Sequence, residues 1–208
     1  MIAAIENAML AALQAQAGSG TLGYVWRELE SYPDDFDEYL KLKGQLRTPA
    51  AWAVFLSLDQ CRDEGDAAEG VIGTARFALV VAAKNLRNET ATRHGGIDQA
   101  SEPGSYQLAE DAMRILSRSD LGLKLLRPLT IGGARLVART PEIRTQGLSL
   151  MAIELSCDVA LGALPTPEGA LADFAQLHVD WDVPAIGNVT APLPAAEADA
   201  EDLVEIPQ

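Results

Sequence analysis

Two nearly continuous apolar runs of strand length constrain the fold of this chain more than any other feature of its sequence. One spans Ala50 to Leu58, and the other spans Gly73 to Ala83 with Phe77-Ala78-Leu79-Val80-Val81 at its centre. Apolar runs without the alternation of a half-exposed strand are typical of strands that are covered on both faces. They therefore predict the interior of a sheet, with the second run as its central strand.

Three further segments are predicted to be strands. Leu22 to Leu29 is rich in aromatic and β-branched residues and is followed by the turn Tyr32-Pro33-Asp34-Asp35. Ala134 to Arg139 and Gly147 to Leu161 are joined by a polar turn around Thr140-Pro141-Glu142. Alternation in the last segment gives one face to the core and one to solvent or a partner. Its length exceeds that of an ordinary strand, which predicts a bulge or a protruding hairpin arm.

Two amphipathic helices are predicted, because apolar residues recur at steps of three and four. Gly18-Ser19-Gly20 ends the first helix, and Ser105 is a candidate N-cap for the second. Their apolar stripes are Ile2, Ile5, Met9, Ala12 and Leu13 in the first, and Leu108, Ala112, Ile115 and Leu116 in the second. The expected fold is α/β in the α+β sense, with a mixed, mainly antiparallel sheet of about four to five strands flanked by two helices.

The segments between these elements are more polar. Asp59 to Gly70 carries five acids and is predicted to be a solvated loop. Lys84 to Gly96 leaves the apolar pattern abruptly and predicts an exposed excursion or a short helix, whereas Leu121 to Leu129 is predicted to be a connector. Phe36 to Gly44 is too short and too charged to classify.

The character of the chain changes at Gly162. Six of the 11 prolines lie between Pro165 and Pro207, and no periodic pattern there is long enough to build a core. We therefore expect an α/β domain at residues 1–161 and a Pro-rich, acidic, extended C-terminal arm at residues 162–208. Phe174, Leu177 and Trp181 are spaced as if they dock on another surface.

The charge is uneven and argues against one class of partner. The formal net charge is −14, and beyond Arg144 there are 11 acids and no base. Such a surface repels phosphate backbones, so we expect no tight nucleic-acid binding.

A membrane protein is also not expected. The most apolar stretch, Phe77 to Ala83, is far shorter than the roughly 20 residues that a spanning helix needs. The N-terminus lacks the pattern of a signal peptide, which predicts a cytoplasmic start.

The sequence offers little for catalysis or metal binding. Cys61 and Cys157 have no CxxC partner, and Cys157 is expected to be a small buried hydrophobe. His178 stands beside Asp180 and Asp182, but a metal site needs three or four converging donors. No GxSxG pattern is present, and Gly95-Gly96 and Gly132-Gly133 are explained as turn glycines. We expect a protein that is not an enzyme and that has no cofactor or metal.

One local basic cluster allows two interpretations. Lys84, Arg87 and Arg93 lie close to Asn85, Asn88 and His94. They form either a solvated loop with an internal ion pair to Glu89, or an interface that pairs with acids of a neighbouring copy or another protein. Contact with nucleic acid is a minor third interpretation, because three positive charges on a protein of net charge −14 hardly hold a phosphate backbone. The candidate interface residues are Lys84, Arg87, Asn88, Glu89, Arg93, His94, Phe174, Leu177 and Trp181.

Several segments together carry a family resemblance. They are Met1-Ile2-Ala3-Ala4-Ile5-Glu6, the run from Ala75-Arg76-Phe77 to Ala83, Asn85-Leu86-Arg87-Asn88-Glu89 with Arg93-His94-Gly95, and Tyr106-Gln107-Leu108 with Glu110-Asp111. Over about residues 1 to 160 the chain resembles a tail protein family of Mu-like phages and prophages. The Arg-Asn-Glu segment followed by Arg-His-Gly is the most distinctive part, and the resemblance extends more loosely to residues 178–182.

The resemblance implies a structural protein of the virion tail or neck that assembles in the host cytoplasm. Such proteins are similar in role to tail terminators, α/β subunits that form a hexameric ring and cap the finished tail tube. The implied partners are other copies of the chain, the tail tube, the sheath protein and the head–tail connector, with DNA passing through the ring.

Three alternatives stay open at this point. The chain could be a head-completion or adaptor protein of the neck, which is also structural. It could be a small hydrolase with acidic catalytic residues, although 30 acids offer too many pairs to single one out. A monomeric binding module is the third alternative.

Overall fold

The computed structural model describes residues 1–63, 70–85, 87–98, 101–162, 176–181 and 200–205. The chain divides into two compact units, Met1–Ala163 and Leu164–Gln208. In chain order, the elements of the first unit are α1 (Ile2–Gly18), β1 (Glu28–Ser31), α2 (Phe36–Lys43), β2 (Ala50–Asp63), β3 (Val71–Lys84), α3 (Glu89–His94), α4 (Ser105–Leu116), β4 (Arg127–Leu136), α5 (Pro141–Thr145) and β5 (Leu148–Leu161). The second unit contains β6 (Gln176–Trp181) and β7 (Ala200–Glu205).

The first unit is built on one five-stranded sheet in the order β1-β2-β3-β5-β4. β1 pairs with β2 in parallel, and every other neighbouring pair is antiparallel. β3 lies in the middle, as its apolar run predicts, and pairs with β5 without a break from Val71↔Leu161 to Lys84↔Leu148. The predicted α+β fold with a mixed, mainly antiparallel sheet is therefore confirmed.

One face of the sheet, which we call the helical face, is covered by α1 and α4. Ile5, Met9 and Leu13 of α1 are fully buried there. So are Leu108, Ala112 and Leu116 of α4, and all six belong to one core cluster with Phe77 and Leu79 of β3. Each large apolar side chain buried in this way contributes about 1.5–3 kcal/mol. Both predicted helices are confirmed.

The other face, which we call the divided face, is covered at one end by α2 and α5. Leu40 and Ile143 from these helices pack on a second cluster that contains Trp52 and Leu148. The segment that the sequence left unclassified thus forms α2. Asp35 caps its first turn by accepting a hydrogen bond from the Glu38 N–H at 2.9 Å, and Gly44, at φ 69°, ends it.

Two predicted strand boundaries on β1 and β2 are wrong. The first strand covers only Glu28–Ser31, the residues adjacent to β2, whereas Tyr24 and Trp26 pack into the core from a segment that is not a strand. β2 continues from Leu58 to Asp63, so the first residues of the predicted loop Asp59 to Gly70 belong to a strand. Pairing with β3 holds that extension in place despite two register shifts.

Boundaries near β4 also differ from the prediction. The strand runs over Arg127–Leu136 instead of Ala134 to Arg139, because the paired edge of β5 begins opposite Arg127. The expected irregularity lies in the pairing of β4 with β5, which has two register shifts. Ser105 is the first residue of α4, and its N-cap is Gly104.

The second unit contains a strand pair that the sequence did not predict. β6 and β7 pair antiparallel from Gln176↔Glu205 to Trp181↔Ala200. Leu177 and Trp181 therefore lie on β6, and part of the segment expected to be an unpaired arm forms a ladder. Phe174 lies outside the described residues.

Candidate interaction surfaces

The basic cluster of the sequence lies at the end of β3 and around α3. The Asn88 side chain accepts a hydrogen bond from the Ala91 N–H at 2.7 Å and so caps α3. The hydroxyl of Thr92, which is 2% exposed, donates to the carbonyl oxygens of Asn85 at 3.2 Å and Asn88 at 2.9 Å. These bonds fold the excursion predicted after Lys84 back onto itself.

Most cations of this cluster are paired within the chain. Arg93 lies 3.5 Å from Glu89, which confirms the predicted internal ion pair. Glu89 also accepts a hydrogen bond from Arg139, which the sequence places 50 residues away. Arg87 lies 3.4 Å from Glu102. Lys84 forms no ion pair in the part of the chain that the structure describes.

Close packing against the backbone of the distinctive segment explains the glycine at position 104. A Cβ atom at Gly104 would lie 2.2 Å from the carbonyl oxygen of Arg93 and 2.3 Å from the backbone nitrogen of Gly95. The His94 ring lies against Tyr106, with ring centroids 5.2 Å apart. The segment from Arg93 to Gly95 therefore shapes the junction between α3 and α4. Its use as an interface stays a prediction.

A second surface, which the sequence did not single out, is the exposed end of the divided face. We call it the open half-face. Alternate residues of four adjacent strands point to it, as the strand registers show. Its polar members include Asp59, Thr74, Arg76, Arg127, Thr130, Arg135, Glu154, Ser156 and Asp158. The alternation of β5 predicted such a face toward solvent or a partner.

Charges on the open half-face pair across strands. Arg76 lies 2.6 Å from Asp59, and Arg135 lies 2.6 Å from Glu154. The arginine side chains are 57% and 72% exposed, so each pair contributes at most about 1 kcal/mol to the stability of the fold. The two ion pairs therefore give this surface a defined pattern of positive and negative charges, but they are not essential for folding.

Asp158 is the most strongly bound carboxylate of the open half-face. The Arg127 guanidinium donates to both of its oxygens at 2.9 Å, and the Thr74 hydroxyl donates at 2.7 Å. Partial burial would raise the pKa of Asp158, but the hydrogen bonds from Arg127 and Thr74 outweigh it and hold the pKa below its usual value. The carboxylate stays ionised well into the acidic range.

Histidine, cysteine and acidic side chains are the groups that metal binding or nucleophilic chemistry would require. In the described ranges, no three His, Cys, Asp or Glu residues converge to hold a metal ion. Asp182, from the predicted His178 set, lies outside those ranges. Cys157 is buried, as predicted, and burial raises the pKa of its thiol to about 11, whereas Cys61 is exposed.

No described helix is both long enough and apolar enough to cross a membrane.

The fold and its surfaces define an α+β protein whose sheet is covered by helices on one face and half open on the other. The family model described as Bacteriophage Mu, Gp37 matches residues 1–160. The chain therefore belongs to the bacteriophage Mu Gp37 family, which confirms the resemblance to Mu-like phage proteins and supports a structural, tail-related role. A comparison with curated proteins gave no match.

Proposed function

We propose that this protein is the tail terminator of a Mu-like phage, a subunit that assembles into a ring, caps the tail tube and joins it to the head connector. Family membership over residues 1–160 is the observation that carries the proposal. The open half-face supports it, because it offers a polar, charge-patterned surface of the kind used to fix the register of one subunit on another.

A ring needs two unlike surfaces on each subunit, because each copy contacts its neighbours head to tail. The open half-face supplies one surface with charges of both signs. The outer side of α1 and α4 supplies a different one, where Glu110 and Arg114 are exposed and pair at 3.2 Å. The proposed assembly is a homohexamer, as the family resemblance implies.

The remaining partners follow from the same proposal. One side of the ring binds the tail tube, and possibly contacts the sheath protein; the other binds the head–tail connector in the neck of the virion. DNA passes through the ring without tight binding, because a net charge of −14 disfavours contact with phosphates. The protein acts by shape and converts no substrate.

Electron microscopy of tails assembled with and without this protein tests the proposal. Without the protein we expect tubes of uncontrolled length, and adding back the wild-type chain should restore a uniform length. Tubes of normal length that fail to join heads would overturn the terminator assignment and indicate an adaptor. Tails of normal length that also join heads would contradict both structural roles.

A further inference from the structure

Two adjoining concavities lie between the end of α1 and the start of β2. Their volumes are about 510 and 580 Å³. They share Arg27 and Thr48 as lining residues, and the larger one is also lined by Arg47. They belong to neither surface described above, and we call them together the two-arginine concavity.

The two-arginine concavity is positively charged in a strongly acidic protein. Among the described residues, its lining includes Arg27 and Arg47 but no acid. Both arginines are exposed, and neither side chain pairs with a carboxylate of the described residues. The neighbouring carboxylate of Glu28 is occupied, since Lys43 donates to it at 2.7 Å. Two guanidinium groups are therefore available for an anion.

Hydrogen bonds hold the main chain at Arg27 and Arg47 beside Pro49 and Glu28. The Arg27 N–H donates to the carbonyl oxygen of Pro49 at 2.7 Å, and the Arg47 N–H donates to the Glu28 side chain at 3.3 Å. A guanidinium group binds carboxylates through parallel hydrogen bonds, so two arginines that line the same concavity suit a segment with several carboxylates. Val25, 43% exposed, adds an apolar contact at the same site.

We propose that the two-arginine concavity binds the acidic segment of residues 197–205 from a second copy of this chain. That segment carries five acids and no base, and Leu203-Val204 provides apolar side chains beside them. Its acids are Glu197, Asp199, Glu201, Asp202 and Glu205. A nucleic-acid ligand is disfavoured, because the net charge of −14 repels it. The inference rests on the self-association in the proposed function. Its test measures peptide binding and not tail assembly, so the two can fail independently.

Peptide binding to the full-length chain tests the inference directly. The probe is a fluorescein-labelled peptide of residues 195–208, and the host is full-length E201K/D202K, in which the altered segment no longer competes. We expect saturable binding that weakens with salt. Adding R27E and R47E to the host should weaken it by at least about tenfold, because two attractive charges become repulsive.

Two controls distinguish binding at this site from general electrostatic attraction to the protein. K124E/R144E makes the same change in net charge at exposed residues outside the concavity and should leave binding unchanged. A peptide with lysine at positions 201 and 202 should bind the R27E/R47E host better than the original peptide does. If the glutamates disturb folding, R27Q/R47Q is the milder variant, and a smaller loss of binding is expected, because glutamine removes the attraction without adding repulsion.

Cross-linking tests whether the segment comes from another chain. R27K allows carbodiimide coupling to carboxylates, and in a mixture of isotopically heavy and light chains we expect cross-links between the two. Cross-links only within one chain would overturn the second-copy assignment. Three outcomes would contradict the proposed site itself. They are no peptide binding, equal binding to the R27E/R47E host, and tighter binding of a duplex oligonucleotide than of the peptide.

Discussion

The hydroxyl groups of Ser105 and Ser149 lie 2.9 Å apart inside the protein and join the first residue of α4 to β5. Both residues are buried, at 0% and 3% exposure. A buried hydroxyl without a partner is costly, so each serine satisfies the other. The pair fixes the position at which α4 begins on the helical face.

Removing one of these hydroxyls should destabilise the fold more than its small size suggests. We expect Ser105→Ala and Ser149→Ala each to lower the free energy of unfolding by about 1–3 kcal/mol, because the remaining hydroxyl loses its partner. The double variant should lose clearly less than the sum of the two. Urea unfolding of all four proteins gives these values, and additive losses would contradict the pairing.

Gly104 should not tolerate a side chain. An added Cβ would meet the backbone of Arg93 and Gly95 at less than 3 Å, and neither can move like a flexible side chain. We expect Gly104→Ala to cost about 1–3 kcal/mol through overpacking. Gly133→Ala is the matched control, since nothing lies within 4 Å of the added Cβ there. Equal thermal stability of the two variants would show that the junction is looser than described.

Asp158 should contribute to stability in a pH-dependent way. Its pKa in the folded protein lies below the ordinary aspartate value of 3.8, so the unfolded chain binds more protons near and below that pH. The contribution is therefore full above about pH 4 and is lost as the pH falls through the folded-state pKa. Urea unfolding should show a wild-type advantage over Asp158→Asn that shrinks on acidification. An advantage that is constant from neutral pH to pH 2 would exclude this cause.

Charge reversal on the open half-face should separate folding from assembly. Because Arg76 and Arg135 are more than half exposed, R76E/R135E should change the free energy of unfolding by only about 1 kcal/mol per pair. We expect tails assembled with this variant to lose length control. K124E/R144E serves as the control of equal charge. Tails of uniform length assembled with R76E/R135E would show that the open half-face is not part of the proposed interface.

A chain that ends at Leu161 should still unfold cooperatively. Among the residues whose burial the structure describes, every member of the two buried clusters precedes that position, so we expect the five-stranded sheet to keep its core. We expect the truncated chain to fail in assembly, because it lacks the acidic segment proposed to bind a second copy. Circular dichroism during urea unfolding checks the first part and tail complementation the second. A broad, non-cooperative transition would assign residues after Leu161 to the core.

Elements that depend on local pattern could be predicted from the sequence. The apolar run of β3 identified the central strand, because a strand buried on both faces needs apolar side chains at every position. The periodic stripes of α1 and α4 identified the helices, since burial along one side of a helix requires that spacing. The ion pair between Glu89 and Arg93 in α3 also followed from residues that are close in the sequence.

Only the tertiary structure decided the features that depend on strand pairing. β4 contains Pro128 and two glycines and has little strand character by itself, yet it pairs with β5 from Arg127 onward. The same pairing brings Arg127 to Asp158, and the β2–β3 register brings Arg76 to Asp59. The two-arginine concavity likewise unites Arg27 and Arg47 from different segments. The pattern of buried residues depends on the order of neighbouring residues in the sequence, so it can be predicted. The partners of a residue across strands depend on strand register, which is set only when the whole sheet assembles.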